Sequence, residues 1–268
     1  MRLGATIPLA LATLLAHAGG LHAVDPRPQA EAEEVRTVRA QRLTGAPPTL
    51  DGRLDEAAWL AVPGSDGFTQ YQPQPGAAST QRTEVRVLYD DEAVYVGMRL
   101  HDTEAGRIAA QLGRRDAMEI HSDWAMVLID SYHDRRTGFE FAVTPRGLQR
   151  DVLHYDDGNW DPNWDGVWEA ATSMDGEGWT AEFRIPLSQL RFSATGGAAV
   201  WGVNFGRRVA RLNEWSWWSP IAPDEPGFVS HAGELHGIAE LEAPRRLEVL
   251  PYAVAQGSRV PVTDGNPF

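Results

Sequence analysis

One run of six residues constrains this chain more than any other: Trp124-Ala-Met-Val-Leu-Ile129 carries no polar side chain on either face and is stopped by Asp130. A stretch so short and so apolar reads as a strand covered on both sides. After a charged loop closing at Gly138, Phe139, Phe141 and Val143 alternate with Glu140, Ala142 and Thr144 until Pro145 and Gly147 stop the pattern. The two segments are expected to pair antiparallel across that loop.

The same period of two recurs along the chain. Over residues 83–89, Val85, Val87 and Tyr89 share one face and Glu84, Arg86 and Leu88 the other. Asp90-Asp91-Glu92 turns the chain, and 93–100 returns with Val94, Val96, Met98 and Leu100 in register. Residues 149–155, 167–172, 179–185, 200–210, 215–219 and 234–241 read as further strands, and 68–72 as a short edge strand closed by Pro73. Helical signals are sparse. One short helix is expected over 104–118, where Ile108 and Leu112 sit four apart and Arg114 and Arg115 lie near the end. Single helical turns are expected after Pro186 and at Ala57, Ala58 and Trp59, the latter capped by Asp55. Short strands punctuated by Gly and Asp predict an all-β fold, an antiparallel jelly-roll-like β-sandwich, and not a parallel α/β sheet.

Composition removes whole classes of chemistry. A formal net charge of -13 argues against a nucleic-acid backbone as partner. Without cysteine there is no disulfide framework, thiolate metal site or thiol nucleophile. All 24 basic residues are arginine, so Schiff-base chemistry is excluded as well. No Gly-x-Ser-x-Gly, His-Glu-x-x-His or phosphate-binding glycine loop occurs. A haem-binding sandwich would need axial ligands such as Met98 or Met118 with a histidine. At the start, Arg2, an apolar segment through Leu15 and Ala16-His17-Ala18 read as a signal peptide over 1–23, cleaved after Ala18 or Ala23. The charged stretch 24–43 reads as a linker with a short strand in 35–43, and 44–243 as the folded sandwich. Export to the periplasm, outer membrane or cell surface of a Gram-negative-type bacterium follows.

Three groups of residues invite a function. Asp161-Pro-Asn163-Trp-Asp165-Gly166 places oxygen-bearing side chains at alternate positions, as a loop that wraps Ca2+ does, but the twelfth position is Thr172 and not a glutamate. Its alternative is a solvated acidic turn; a second grouping of oxygens is Asp51, Asp55, Asp90 and Asp91. The aromatic group is Trp160, Trp164, Trp215 and Trp217, among ten tryptophans in all. An exposed indole flanked by polar groups suits a sugar, because the ring covers C–H faces while the polar groups meet hydroxyls. Alternation puts Trp215 and Trp217 on one strand face and Trp218 on the other. The histidines form no ligand pattern: His231 and His236, five apart, fall on opposite faces of a continuous strand. Carboxylate pairs for a glycosidic-bond hydrolase can always be proposed from 37 acidic residues, so that reading has no specific support. Arg207 and Arg208 read as a strand pointing one charge to each face.

The motifs Leu50-Asp-Gly-Arg-Leu-Asp-Glu-Ala-Ala-Trp59, Val85-Arg-Val-Leu-Tyr-Asp-Asp-Glu-Ala-Val-Tyr-Val-Gly97, Ser122-Asp-Trp124 through Asp130, and Thr137-Gly138 together resemble the family-9 carbohydrate-binding modules. The resemblance implies a β-sandwich that recognises a saccharide without catalysis, attached to systems of polysaccharide breakdown and often holding structural calcium. It also implies a subgroup placed ahead of an outer-membrane-type β-barrel, of which residues 244–268 would be the start, cut short at Phe268. Family members grip a sugar end between two tryptophans; the corresponding positions here are near Ile120 and Pro226, neither aromatic. The alternative is an envelope scaffold module that packs on the barrel and binds no sugar.

Overall fold

The structure, a computed structural model, describes residues 35–117, 119–192 and 197–241. The segment expected as a leader (1–23), residues 24–34 of the expected linker, Met118 and the segment expected as a barrel start (244–268) lie outside the described residues. In chain order the strands are β1 (Thr37–Arg39), β2 (Gln41–Arg42), β3 (Thr69–Gln72), β4 (Thr83–Tyr89), β5 (Ala93–His101), β6 (Trp124–Asp130) and β7 (Gly138–Val143). They continue as β8 (Gln149–Tyr155), β9 (Asn159–Asp161), β10 (Glu169–Asp175), β11 (Gly178–Pro186), β12 (Ala198–Val209), β13 (Glu214–Trp217) and β14 (Gly233–Ala239).

These strands form a β-sandwich. The larger sheet runs β1-β14-β12-β6-β7-β8-β9, with β13 also paired to β12 and carrying β3. The smaller runs β10-β11-β5-β4-β2. Between them lie the residues that alternation marks as inward: Val85, Val87, Val96, Met98 and Phe183 from one sheet, Val127, Ile129, Phe139, Phe141 and Phe205 from the other. The expected β6–β7 and β4–β5 hairpins pair antiparallel, Val127 opposite Phe141 and Val87 opposite Val96. Met98 is wholly inside this core, away from any open ligand position.

The short strand expected at 35–43 forms as two, and it ties the expected linker into the fold: β1 pairs with β14 and β2 with β4, both parallel, so the chain joins both sheets before position 44. Two expectations change. The helix over 104–118 does not form; a 3-10 turn at Ala105–Arg107 gives way to irregular chain bridged at Ala110 to Ser122. Gly106 and Gly113 weaken helix there, and the apolar pair finds no surface to cover as a helix face, Leu112 being 76% exposed. The turn expected at Ala57, Ala58 and Trp59 forms as α1 (Ala57–Leu60), but Glu56 and not Asp55 holds its N-cap position, with no side-chain capping hydrogen bond.

Helix α1 explains the Leu50–Trp59 motif. Trp59 is buried on the outer face of the smaller sheet beside Val62, Leu88 and Tyr95. Its indole N–H donates to Glu182 Oε1 at 3.0 Å, and the backbone N–H groups of Asp51 and Gly52 donate to Oε2 at 3.0 and 2.6 Å. Gly52 has φ of +85° and lies so close to the Thr172 backbone that a Cβ has no room. One carboxylate on β11 therefore anchors both the turn and the helix.

Burial pushes the Glu182 carboxyl up to about 7 against the pull of those three donors. A folded pKa above the unfolded one means that the folded chain holds the proton between the two values. The carboxyl's contribution to stability is thus full below the ordinary carboxylate range and lost as pH rises through about 7. Glu182→Gln should flatten that part of a stability–pH profile measured by urea unfolding. Glu182→Leu, which orphans buried donors, should cost at least about 1–3 kcal/mol in the same assay.

Candidate binding recess

The outer face of the larger sheet carries the features that ligands need. On β6 the outward residues are Trp124, Met126 and Leu128; on β7 Glu140 and Ala142; on β8 Arg150, Val152 and His154. On β12 and β13, Gly206 faces Trp217 and Arg208 faces Trp215. Gly206 matters because a Cβ there would lie 2.6 Å from the Trp217 ring and 2.9 Å from Met126; its absence lets the indole lie over β12. After β13 the chain returns across this face, setting Ile221 and Phe228 onto it. Phe228 stacks on His154 with ring centroids 4.6 Å apart and meets Trp217 edge-on at 5.2 Å.

Two neighbouring recesses of about 260 Å³ each share Trp215, Trp217 and Phe228 as lining. The first adds Tyr71, Gln72 and Ile221, with Glu225 and Gly227 at its margin. The second adds Met126, Glu140, Arg150, Val152, His154 and Trp160. Trp160 on β9 stands opposite His154 and is 52% exposed, a free indole at the margin.

The polar floor of the second recess is a triad of Glu140, Arg150 and His154. Arg150 Nη2 donates to Glu140 Oε1 at 3.0 Å, and His154 Nε2 lies 3.0 Å from Oε2. Burial alone would raise the Glu140 carboxyl, but the His154 hydrogen bond and the Arg150 charge outweigh it and hold the pKa down to about 2. Glu140 is an ionised acceptor and not a proton donor.

Of the aromatic residues singled out by sequence, the structure brings Trp160, Trp215 and Trp217 together around this recess. Trp164 goes elsewhere: it packs against Phe139 and Phe141, at 5.2 and 5.8 Å, and covers the margin of the core. Trp218 turns inward, as alternation requires, against Phe205. Arg207 and Arg208 divide as expected, Arg207 fully buried and donating to Arg82 O and Thr83 Oγ1, Arg208 on the outer face.

The oxygens of Asp161, Asn163 and Asp165 do not gather. Asp161 Oδ1 accepts from the Asn163 backbone and side-chain nitrogens, and Asp165 faces Arg115 at 3.5 Å. Asp51, Asp90 and Asp91 are likewise engaged, with Arg53 N, with Ala93 N and Tyr95, and with Arg42. Among the described residues no three His, Asp or Glu side chains are arranged to hold a metal ion. Neither calcium grouping brings three carboxylates together, and their oxygens are taken up by the partners named above.

Sequence reading missed Glu140, Arg150, His154, Phe228 and Tyr71. The available signal was the outward period on β7 and β8, where Glu140, Arg150 and His154 are too polar for a covered sheet face; nothing local marked Phe228. At the clamp positions, Ile120 is buried with Trp124 and Leu148, and Pro226 sits between two residues lining the first recess.

A family model described as "Carbohydrate family 9 binding domain-like" matches residues 50–206. No curated protein matches the chain. Among solved structures, the chain is similar to a family 9 carbohydrate-binding module from Caldicellulosiruptor kristjanssonii in complex with glucose, at 14% identity and a TM-score of 0.56, covering 81% of this chain and 100% of that one. The cellotriose complex from the same organism gives 15%, 0.55 and the same coverage. A candidate carbohydrate-binding protein from Bacteroides uniformis gives 13% and 0.60, over 76% of this chain and 100% of that one. At these identities the likeness speaks for the fold.

Breaking the triad should be costly. Glu140→Gln strips the countercharge from half-buried Arg150 and is expected to lower stability by about 1–3 kcal/mol in urea. Because the folded pKa lies below the unfolded one, the native contribution is present above the ordinary carboxylate range and is lost as pH falls towards about 2. The variant should lack that acid-side loss.

Proposed function

The chain belongs to the carbohydrate family 9 binding domain-like family, and we propose that it is an exported, non-catalytic module that holds a saccharide in the outer-face recess between Trp160 and the Trp215–Trp217–Phe228 wall. The observation that carries this reading is the joining of aromatic faces to a half-buried acceptor–donor set, Glu140, Arg150 and His154, in one cavity. Indole faces cover sugar C–H groups, and the remaining lone pairs and N–H groups of the triad meet hydroxyls. The glucose and cellotriose complexes of similar modules support saccharides as the ligand class. Glycoside hydrolysis needs a protonated acid as well as a second carboxylate across the bond. Glu140, held ionised, does not supply the former, so binding is the role assigned. The leader at 1–23 supports export, and a module of this kind serves polysaccharide breakdown by keeping a linked activity on its substrate.

A second reading, a scaffold module packed on an outer-membrane barrel without sugar, draws on the non-aromatic clamp positions Ile120 and Pro226. Titration with cellotriose and related oligosaccharides, followed by tryptophan fluorescence, separates the two. Saturable change is expected, weakened about tenfold or more in Trp217→Ala or Trp160→Ala, as for an aromatic anchor. Trp164→Ala should lower stability and leave affinity unchanged in the folded fraction. No response to any oligosaccharide favours the scaffold.

A further inference from the structure

The floor beside the second recess holds more positive charge than its neighbours balance. Arg150 lies over the Trp124 ring at 4.8 Å and Arg208 over the Trp215 ring at 5.1 Å. Arg208 and Trp124 are cross-strand partners, so indole and guanidinium alternate over the outer face as Trp215, Arg208, Trp124, Arg150. Arg150 lines the recess and shares Glu140 with His154. Arg208 lies next to the lining, stacked on a residue that both recesses share. Among the described residues no carboxylate lies within ion-pair distance of it. Its one hydrogen bond is to Ile120 O at 3.4 Å, and its Nε, like that of Arg150, is buried without a partner.

Arg150 is thus paired with Glu140, whereas Arg208 beside it has no carboxylate at ion-pair distance among the described residues, in a chain whose formal charge is -13. Burial lowers the Arg208 pKa, Asp123 in the interior raises it, and Arg150 lowers it again. A half-buried cation without a countercharge is costly to keep unless the ligand brings one. A planar guanidinium stacked on an aromatic ring is also a preorganised donor for a carboxylate or sulfate.

We propose that the saccharide taken by this face is acidic, carrying a uronate carboxylate or a sulfate ester that supplies Arg208 with a countercharge. The proposal rests on the saccharide reading above and adds the ligand's charge. Its test is a set of titrations of the full 268-residue chain with cellotriose, a uronate trimer and a sulfated neutral trimer, at low salt and in about 1 M NaCl.

An acidic trimer should bind about tenfold tighter than cellotriose at low salt, with the advantage shrinking in high salt. Preference for the uronate or for the sulfated trimer supports the proposal and assigns the source of the anion. Arg208→Gln should erase the preference while cellotriose affinity persists, and Arg208→Lys should retain part of it. Thermal melts of both variants separate lost charge from lost fold, and the wild-type series stands without either. Equal affinity for neutral and acidic trimers overturns the proposal and leaves the saccharide reading intact. Absence of binding to all three overturns both.

Discussion

The structure depends on the burial of β6 from both sides. Every residue from Trp124 to Asp130 is buried, yet β6 lies in the middle of a sheet only one of whose faces meets the other sheet. Antiparallel sheets commonly leave the second face wet and polar. Here that face presents Trp124, Met126 and Leu128, so it must find a cover of its own. Strand β13 and the returning chain at Ile221 and Phe228 supply it, and Gly206 lets Trp217 come down flat. Where that cover ends, over Glu140, Arg150 and His154, the recess begins. The site is the margin of a second small core.

The two outer faces of the sandwich use buried carboxylates differently. On the smaller sheet, Glu182 receives three N–H groups and fastens Trp59, closing that face with a helix. On the larger sheet, Glu140 meets Arg150 and His154 from its own sheet and fastens no covering element, so its neighbours stay reachable. Desolvation is the largest influence on both; it prevails at Glu182 and raises its pKa, whereas at Glu140 the His154 hydrogen bond and the Arg150 charge together outweigh it and lower the pKa. Burial alone does not decide the charge state; the partners do.

Much of the fold was legible because alternation is a local property. The β4–β5 hairpin, β6, β8 and β11 follow directly from period two and its interruptions, as does the split of Trp217 from Trp218. A short strand in 35–43 was legible, but the parallel pairings of β1 and β2 were not, since they depend on partners some 200 and 50 positions away. The helix over 104–118 failed because propensity summed over a window with two glycines is a weak signal against tertiary context. At the recess, the tryptophans of β13 were readable as a face, but Trp164 was not separable from Trp160 by sequence: both sit in one acidic loop, and only the fold sends one to Phe139 and the other to solvent. Phe228 meets His154 from 74 positions away, a distance no motif spans.

The central claim is that a saccharide sits on this face and nowhere else on the sandwich. The most direct measurement is a two-dimensional NMR titration of the indole N–H signals with an oligosaccharide. The signals of Trp160, Trp215 and Trp217 should move together and saturate at one dissociation constant, while those of Trp59, Trp179, Trp201 and Trp218, buried away from the recess, stay fixed. Movement confined to other indoles, or no movement under saturating sugar, would contradict the account.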